Sequence, residues 1–139
     1  RIGLLGFSAG GHLTIHTATN ADRRAYEGAD EASCRPDFAV MIYPGGVLDK
    51  QDPTKLSASL RVSKETPPSF LAVSSDDKGS AAGTIRIYLA LREAGVPAEL
   101  HVYESGGHGY GMRKSEKPQS AWPARCEEWM RARGLLTKG

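Results

Sequence analysis

A serine, a histidine and a pair of aspartates stand in this sequence where covalent acyl transfer would need them. Ser8 lies in Gly6-Phe7-Ser8-Ala9-Gly10, a G-x-S-x-G pattern entered from the apolar run Ile2-Gly3-Leu4-Leu5 and followed by Gly11-His12-Leu13. The expected local structure is strand, sharp turn and helix start, with Ser8 at the apex and small residues at positions 6 and 10 letting the backbone pass close to itself. A hydroxyl projected from such a turn is open to an imidazole that takes its proton, and the helix N-terminus favours the negative charge that develops. His108 is the candidate base. It sits in Ser105-Gly106-Gly107-His108-Gly109-Tyr110-Gly111, a glycine-rich loop that gives a core histidine nothing to do. Asp76 and Asp77 are candidates for the acid that would orient the imidazole. A turn or helix-capping role before Gly79-Ser80 is the plainer alternative for either.

Those side chains need elements to hold them. The first strand is Ile2 to Phe7, and a short helix follows from Gly10 to about Thr19, small and apolar on its packing side. Asn20 to Asp37 reads as a polar connection. Phe38 to Tyr43 is continuously apolar between Pro36 and Pro44-Gly45-Gly46, as expected of a strand buried on both faces. Val47 to Pro68 is rich in Lys, Ser, Asp and Pro and reads as a surface excursion, with Leu56, Leu60 and Val62 spaced for at most a short helix. Such loops beyond the carboxyl ends of parallel strands commonly shape substrate pockets. Ser69 to Ser75 is a third strand, and Ser80 to Ala94 a helix with Ile85, Tyr88 and Leu89 on one face and Gly95 and Pro97 as its stop. Ala98 to Glu104 alternates as an edge strand would. A last helix from about Ser120 to Arg133 places Trp122, Cys126, Trp129 and Met130 on one core-facing stripe. The alternation argues for an α/β fold with a parallel sheet of about four strands and flanking helices. Ser8, the aspartate pair and His108 each follow the carboxyl end of a different strand, where open α/β sheets keep their sites.

With 139 residues, 40% of them hydrophobic, the chain is expected to form one domain spanning 1–139. A net charge of +2, without a run of like charges, gives no footprint for nucleic acid or anionic lipid. No apolar run is long enough to span a bilayer. Cys34 and Cys126 fit neither a metal-site spacing nor a disulfide framework. A single bridge between them stays open, and the plainer reading of Cys126 is a small buried side chain. His12 and His16 are assigned to helix packing or solvent and His101 to the sheet surface. Asp49, after the second strand, is a remote alternative acid.

The order serine, aspartate, histidine is that of the α/β-hydrolase triad. Gly6 to Leu13, Thr66-Pro67-Pro68-Ser69-Phe70-Leu71, Asp76-Asp77, Ala94 to Tyr103 and Gly106 to Gly111 together resemble the C-terminal half of an α/β-hydrolase. Within that superfamily the chain is similar to bacterial esterase/lipase-like proteins, the group of acetyl xylan esterases and feruloyl-esterase-like domains. The resemblance implies Ser8 as nucleophile, His108 as base and Asp77 as orienting acid, with Asp76 in reserve. It implies a serine ester hydrolase that forms an acyl-enzyme and needs no metal or organic cofactor. Its substrate would be a small-molecule or polysaccharide ester carrying a short acyl group, acetylated or feruloylated polysaccharide for example. The alternatives are a prolyl-oligopeptidase-type serine peptidase domain and a non-catalytic scaffold or fragment of hydrolase form.

The Ala9 N–H is the expected first oxyanion donor. In the family the second comes from a loop after an early strand, which is expected to lie upstream of Arg1, so the chain reads as a partial domain. Losing one such donor typically costs about a hundred- to a thousandfold in rate. The first strand would then be an exposed apolar edge, open to the missing half or to self-association.

Overall fold

Side chains alternate along the two central strands toward two separate cores, and helices cover both. The computed structural model describes residues 1–23 and 32–136. In chain order the elements are β1 (Gly3–Phe7), α1 (Ala9–Thr19), β2 (Phe38–Ile42), β3 (Ser69–Ser74), α2 (Ala81–Glu93), β4 (Ala98–Tyr103), a 3-10 turn (Pro118–Ala121) and α3 (Trp122–Ala132). The strands form one four-stranded sheet in the order β1-β2-β3-β4, parallel throughout, with Leu4 opposite Ala39, Val40 opposite Phe70 and Leu71 opposite Leu100. Part of the connection between Asn20 and Asp37 lies outside the described residues.

Ala39 and Met41 of β2 and Leu71 of β3 face one way and pack with Ile15 of α1 and Ile87 and Leu91 of α2. Val40, Ile42, Phe70 and Ala72 face the other way, against Trp122, Cys126 and Trp129 of α3. The period-two alternation thus sorts the helices into two layers about a doubly covered sheet. Cys34 is exposed and Cys126 buried, and both are free thiols. Burial pushes the Cys126 thiol up to about 11, so it acts as a small hydrophobe.

Two expectations about packing need correction. The stretch from Val47 to Pro68 has no helix, yet it is more than a surface excursion. Val47 and Leu60 are buried in the α1/α2 core, with Leu56 and Val62 packed against it. An irregular backbone has no period by which such inward residues could be read. On α2 the buried side chains are Thr84, Ile87 and Leu91, whereas Ile85 and Leu89 are exposed. Thr84 disguises this stripe. Its hydroxyl donates to the Ser80 carbonyl at 2.8 Å, which lets a polar side chain be buried without an unmet hydrogen bond.

Trp122 ties α3 to the rest of the fold. It is 2% exposed, meets Phe7 edge-on, and its indole N–H donates to the Gly111 carbonyl at 2.8 Å. Trp122→Ala is expected to destabilise by about 3–5 kcal/mol through the cavity it leaves, read as a lower midpoint in urea unfolding.

Candidate active site

The turn after β1 is built around a lack of space. A Cβ on Gly6 would stand 2.1 Å from the Gly10 carbonyl oxygen, so only glycine lets β1 and α1 come this close. Position 10 differs from expectation, since a Cβ there would meet nothing within 4 Å; Gly10 supplies the wall, and Gly6 alone must be small. Ser8 has φ 53° and ψ −116°, strained values for a residue with a side chain. Three backbone bonds fix it: its N–H donates to the Ile42 carbonyl at 3.0 Å, and its carbonyl accepts from the N–H groups of His12 at 3.0 Å and Gly45 at 3.2 Å.

From this apex the Ser8 hydroxyl lies 2.8 Å from His108 Nε2. On the other side of the ring, His108 Nδ1 lies 2.6 Å from Asp77 Oδ2. A carboxylate only accepts, so Nδ1 carries the proton and Nε2 is free to accept from Ser8. Asp77 is 5% exposed, and its other oxygen accepts the Gly79 N–H at 3.1 Å. Ser80 Oγ makes a longer approach to His108 Nδ1, at 3.4 Å. The structure therefore brings Ser8, His108 and Asp77 into one hydrogen-bonded line at the carboxyl end of the sheet, with Ala9 beginning α1 beside them. As the first helical residue, Ala9 has an N–H without an intrahelical acceptor.

No family model matches the chain. It is 31% identical over 134 residues to an acetylxylan esterase of Xylanibacter ruminicola, an alignment covering 80% of this chain and 26% of that protein. The acetyl ester-xyloside bifunctional hydrolase from Caldicellulosiruptor lactoaceticus superposes with a TM-score of 0.84 at 33% identity, over 99% of this chain and 58% of that one. An α/β-hydrolase enzyme from a Medee basin deep-sea metagenome library gives a TM-score of 0.70 at 25% identity, over 94% of this chain and 53% of that one. The chain belongs to the α/β-hydrolase superfamily.

Within this α/β-hydrolase fold the neighbouring aspartates do different work. Asp76 does not reach the imidazole. Its two oxygens accept the N–H groups of Gly106 at 3.2 Å and Gly107 at 2.8 Å, anchoring the near end of the His108 loop in a small nest of donors. The Gly107 and then the Gly106 N–H hold its carboxyl below the ordinary value of 3.8. Because the native value is the lower one, the anchor is whole above the unfolded value and is lost as pH falls through the native value. A transition shared by the Gly106 and Gly107 amide resonances and abolished in Asp76→Asn is therefore expected below 3.8. A midpoint above 3.8 would contradict the anchor.

Asp49 accepts from its own loop, at the N–H groups of Gln51 and Asp52. His101 pairs with Glu99 at 2.8 Å on β4. His12 Nδ1 lies 3.0 Å from the Gly45 carbonyl, and His16 stacks on the His12 ring. Sequence reading missed what holds the far end of the His108 loop. There Tyr43 OH accepts the Gly111 N–H at 3.0 Å, Trp122 holds the Gly111 carbonyl, and the Arg113 guanidinium donates to the Gly109 carbonyl. Tyr43 had one legible signal, its place at the carboxyl end of a buried strand, the position that singled out the other site residues. Among the described residues no cluster of His, Cys, Asp and Glu is arranged as a metal site, and no helix is long and apolar enough to cross a membrane.

Proposed function

We propose that this chain carries the nucleophile, base and acid of a serine carboxylic ester hydrolase. Ser8 Oγ attacks the ester carbonyl while His108 Nε2 takes its proton. Asp77 keeps Nδ1 protonated and stabilises the imidazolium. The proton then passes to the leaving alcohol, and water, activated by the same imidazole, releases the acid from Ser8. The Ala9 N–H donates to the tetrahedral oxyanion. No step draws on a metal or organic cofactor. The observation that carries the reading is the line Asp77 Oδ2, His108 Nδ1, His108 Nε2, Ser8 Oγ, with gaps of 2.6 and 2.8 Å.

The names of the acetylxylan esterase and the acetyl ester-xyloside hydrolase support short acyl esters on polysaccharide as the substrate class. The test is a fluorophosphonate probe with intact mass and peptide mapping, followed by acetate release from acetylated xylan beside hydrolysis of proline-containing peptides. One adduct on Ser8 and turnover of esters is the expected result. A folded chain that takes no adduct would sink the reading, and cleavage of peptides in preference to esters would favour the peptidase alternative.

The chain spans 58% of the xyloside hydrolase and 26% of the acetylxylan esterase, and β1 is an edge strand. Ile2, Leu5 and Leu13 on and beside it are 74%, 51% and 65% exposed, an apolar edge open to pairing. The isolated chain is expected to elute above its 14.9 kDa in size exclusion with light scattering. Leu5→Lys with Leu13→Glu is expected to move it toward the monomer. Monomeric wild-type chain with full ester turnover would contradict this.

A further inference from the structure

Tyr43 is a bulky residue in a conformation that favours glycine, with φ 39°. Such strain persists where surroundings over-determine it, and it concentrates at functional sites. Here the surroundings are specific. The Tyr43 N–H donates to the Ala72 carbonyl of β3 at 2.8 Å, and two residues on, the Gly45 N–H donates to the Ser8 carbonyl. The chain leaving β2 is thus tied to the neighbouring strand and to the nucleophile turn, and the ring, 3% exposed, is left facing the base. Its centroid lies 4.8 Å from that of His108 and 4.6 Å from that of Tyr110. Its hydroxyl accepts the Gly111 N–H, while Trp122 grips the same residue through its carbonyl.

His108 is otherwise held only at its two nitrogens, by Asp77 and Ser80 at Nδ1 and by Ser8 at Nε2. These contacts fix the line from Asp77 to Ser8 but leave the ring's tilt about that line open, and tilting turns the Nε2 lone pair away from the Ser8 hydroxyl. An aromatic ring with its centroid 4.8 Å away and tilted 58° to the imidazole limits that freedom, and a pinned Gly111 keeps the loop from carrying the whole residue outward. Asp76 already pins the near end. We propose that Tyr43 is a positioning residue for His108, backing the imidazole with its ring and pinning the far end of the loop with its hydroxyl. The inference rests on the serine hydrolase reading for its kinetic consequence, though not for its geometric one.

Two readouts test it. The rate of Ser8 phosphonylation is measured for wild type, Tyr43→Phe, Tyr43→Leu and Trp129→Phe, the last being a substitution in the same core whose ring packs on Phe38 and Phe70 rather than on His108. Displacement of a catalytic group by about an ångström costs on the order of a hundredfold. Tyr43→Leu is therefore expected to slow the reaction about a hundredfold at unchanged apparent affinity for the probe, and Tyr43→Phe, which keeps the wall, about tenfold. Trp129→Phe is expected to lower the melting temperature without changing the rate. In parallel, the downfield Nδ1–H resonance of His108 should sharpen in wild type and Trp129→Phe and exchange away in Tyr43→Leu. Wild-type rates in Tyr43→Leu would overturn the proposal. If folded wild type takes no adduct, the hydrolase reading fails separately and the resonance decides: lost only in Tyr43→Leu, it upholds the positioning role; kept in both variants, it removes it.

Discussion

Ser8→Ala is expected to reduce ester turnover by about a millionfold, to the background set by binding alone, and to erase the fluorophosphonate adduct. The expectation follows from the geometry rather than from the motif. The Ser8 hydroxyl is the one group within hydrogen-bond reach of His108 Nε2 among the described residues, so its removal leaves the base with nothing to activate but water. Folding should hardly change. Alanine also carries a Cβ, so the strained turn at φ 53° persists, and what is lost is one half-exposed hydrogen bond, a change of about 1 kcal/mol or less. Ser8→Gly sharpens the point. It should be as inactive as Ser8→Ala and melt at the same temperature or higher, because relief of about 1–3 kcal/mol of backbone strain offsets the roughly 0.5–1 kcal/mol of added chain entropy. Intact mass after labelling and calorimetry on the three proteins measure both sides. Residual stoichiometric labelling of Ser8→Ala would place the nucleophile elsewhere.

The parts of this fold that were legible in the sequence are those where a residue type has few places to go. Glycine at position 6, a continuous apolar strand from Phe38, and the Gly95 stop after α2 each have a local cause, and each is found where it was read. Ser8 and His108 were legible because glycine-rich turns directly after strands are exposed by construction. What stayed hidden depends on direction rather than type. Val47 and Leu60 enter the core from an aperiodic loop. The buried face of α2 includes a threonine whose hydroxyl is met within the helix. A tyrosine at positive φ has no sequence mark, since glycine is the residue that conformation announces. Asp76 and Asp77 are adjacent in sequence, and only the turn after β3 sends one carboxylate under the imidazole and the other out to the Gly106 and Gly107 amides.

That divergence gives the second large effect. Asp77→Asn is expected to slow acylation of Ser8 about ten-thousandfold, the size seen when the orienting acid of a serine triad becomes an amide, whereas Asp76→Asn should cost tenfold or less. The reason lies in what each oxygen accepts. Asp77 takes the Gly79 N–H on Oδ1 and the His108 Nδ1–H on Oδ2, so both of its oxygens face donors. An asparagine has one oxygen. If it keeps Gly79, its NH2 faces Nδ1, which must then give up its proton to become an acceptor. The imidazole switches to the tautomer protonated at Nε2, and Ser8 loses its base. If the amide turns the other way, its NH2 meets the Gly79 N–H in a 5% exposed site, where two facing donors are costly. Neither orientation leaves Nδ1 protonated without penalty. Asp76 is different: it is exposed, its donors are backbone N–H groups of a loop, and an amide oxygen can still hold one of them. Its loss should loosen the loop, read as faster amide exchange at Gly106 and Gly107, while the His108–Ser8 contact survives. Rate constants for phosphonylation of the two variants, taken at a temperature where both are folded, separate the roles. A larger loss in Asp76→Asn than in Asp77→Asn would reverse the assignment and make the buried carboxylate the structural one.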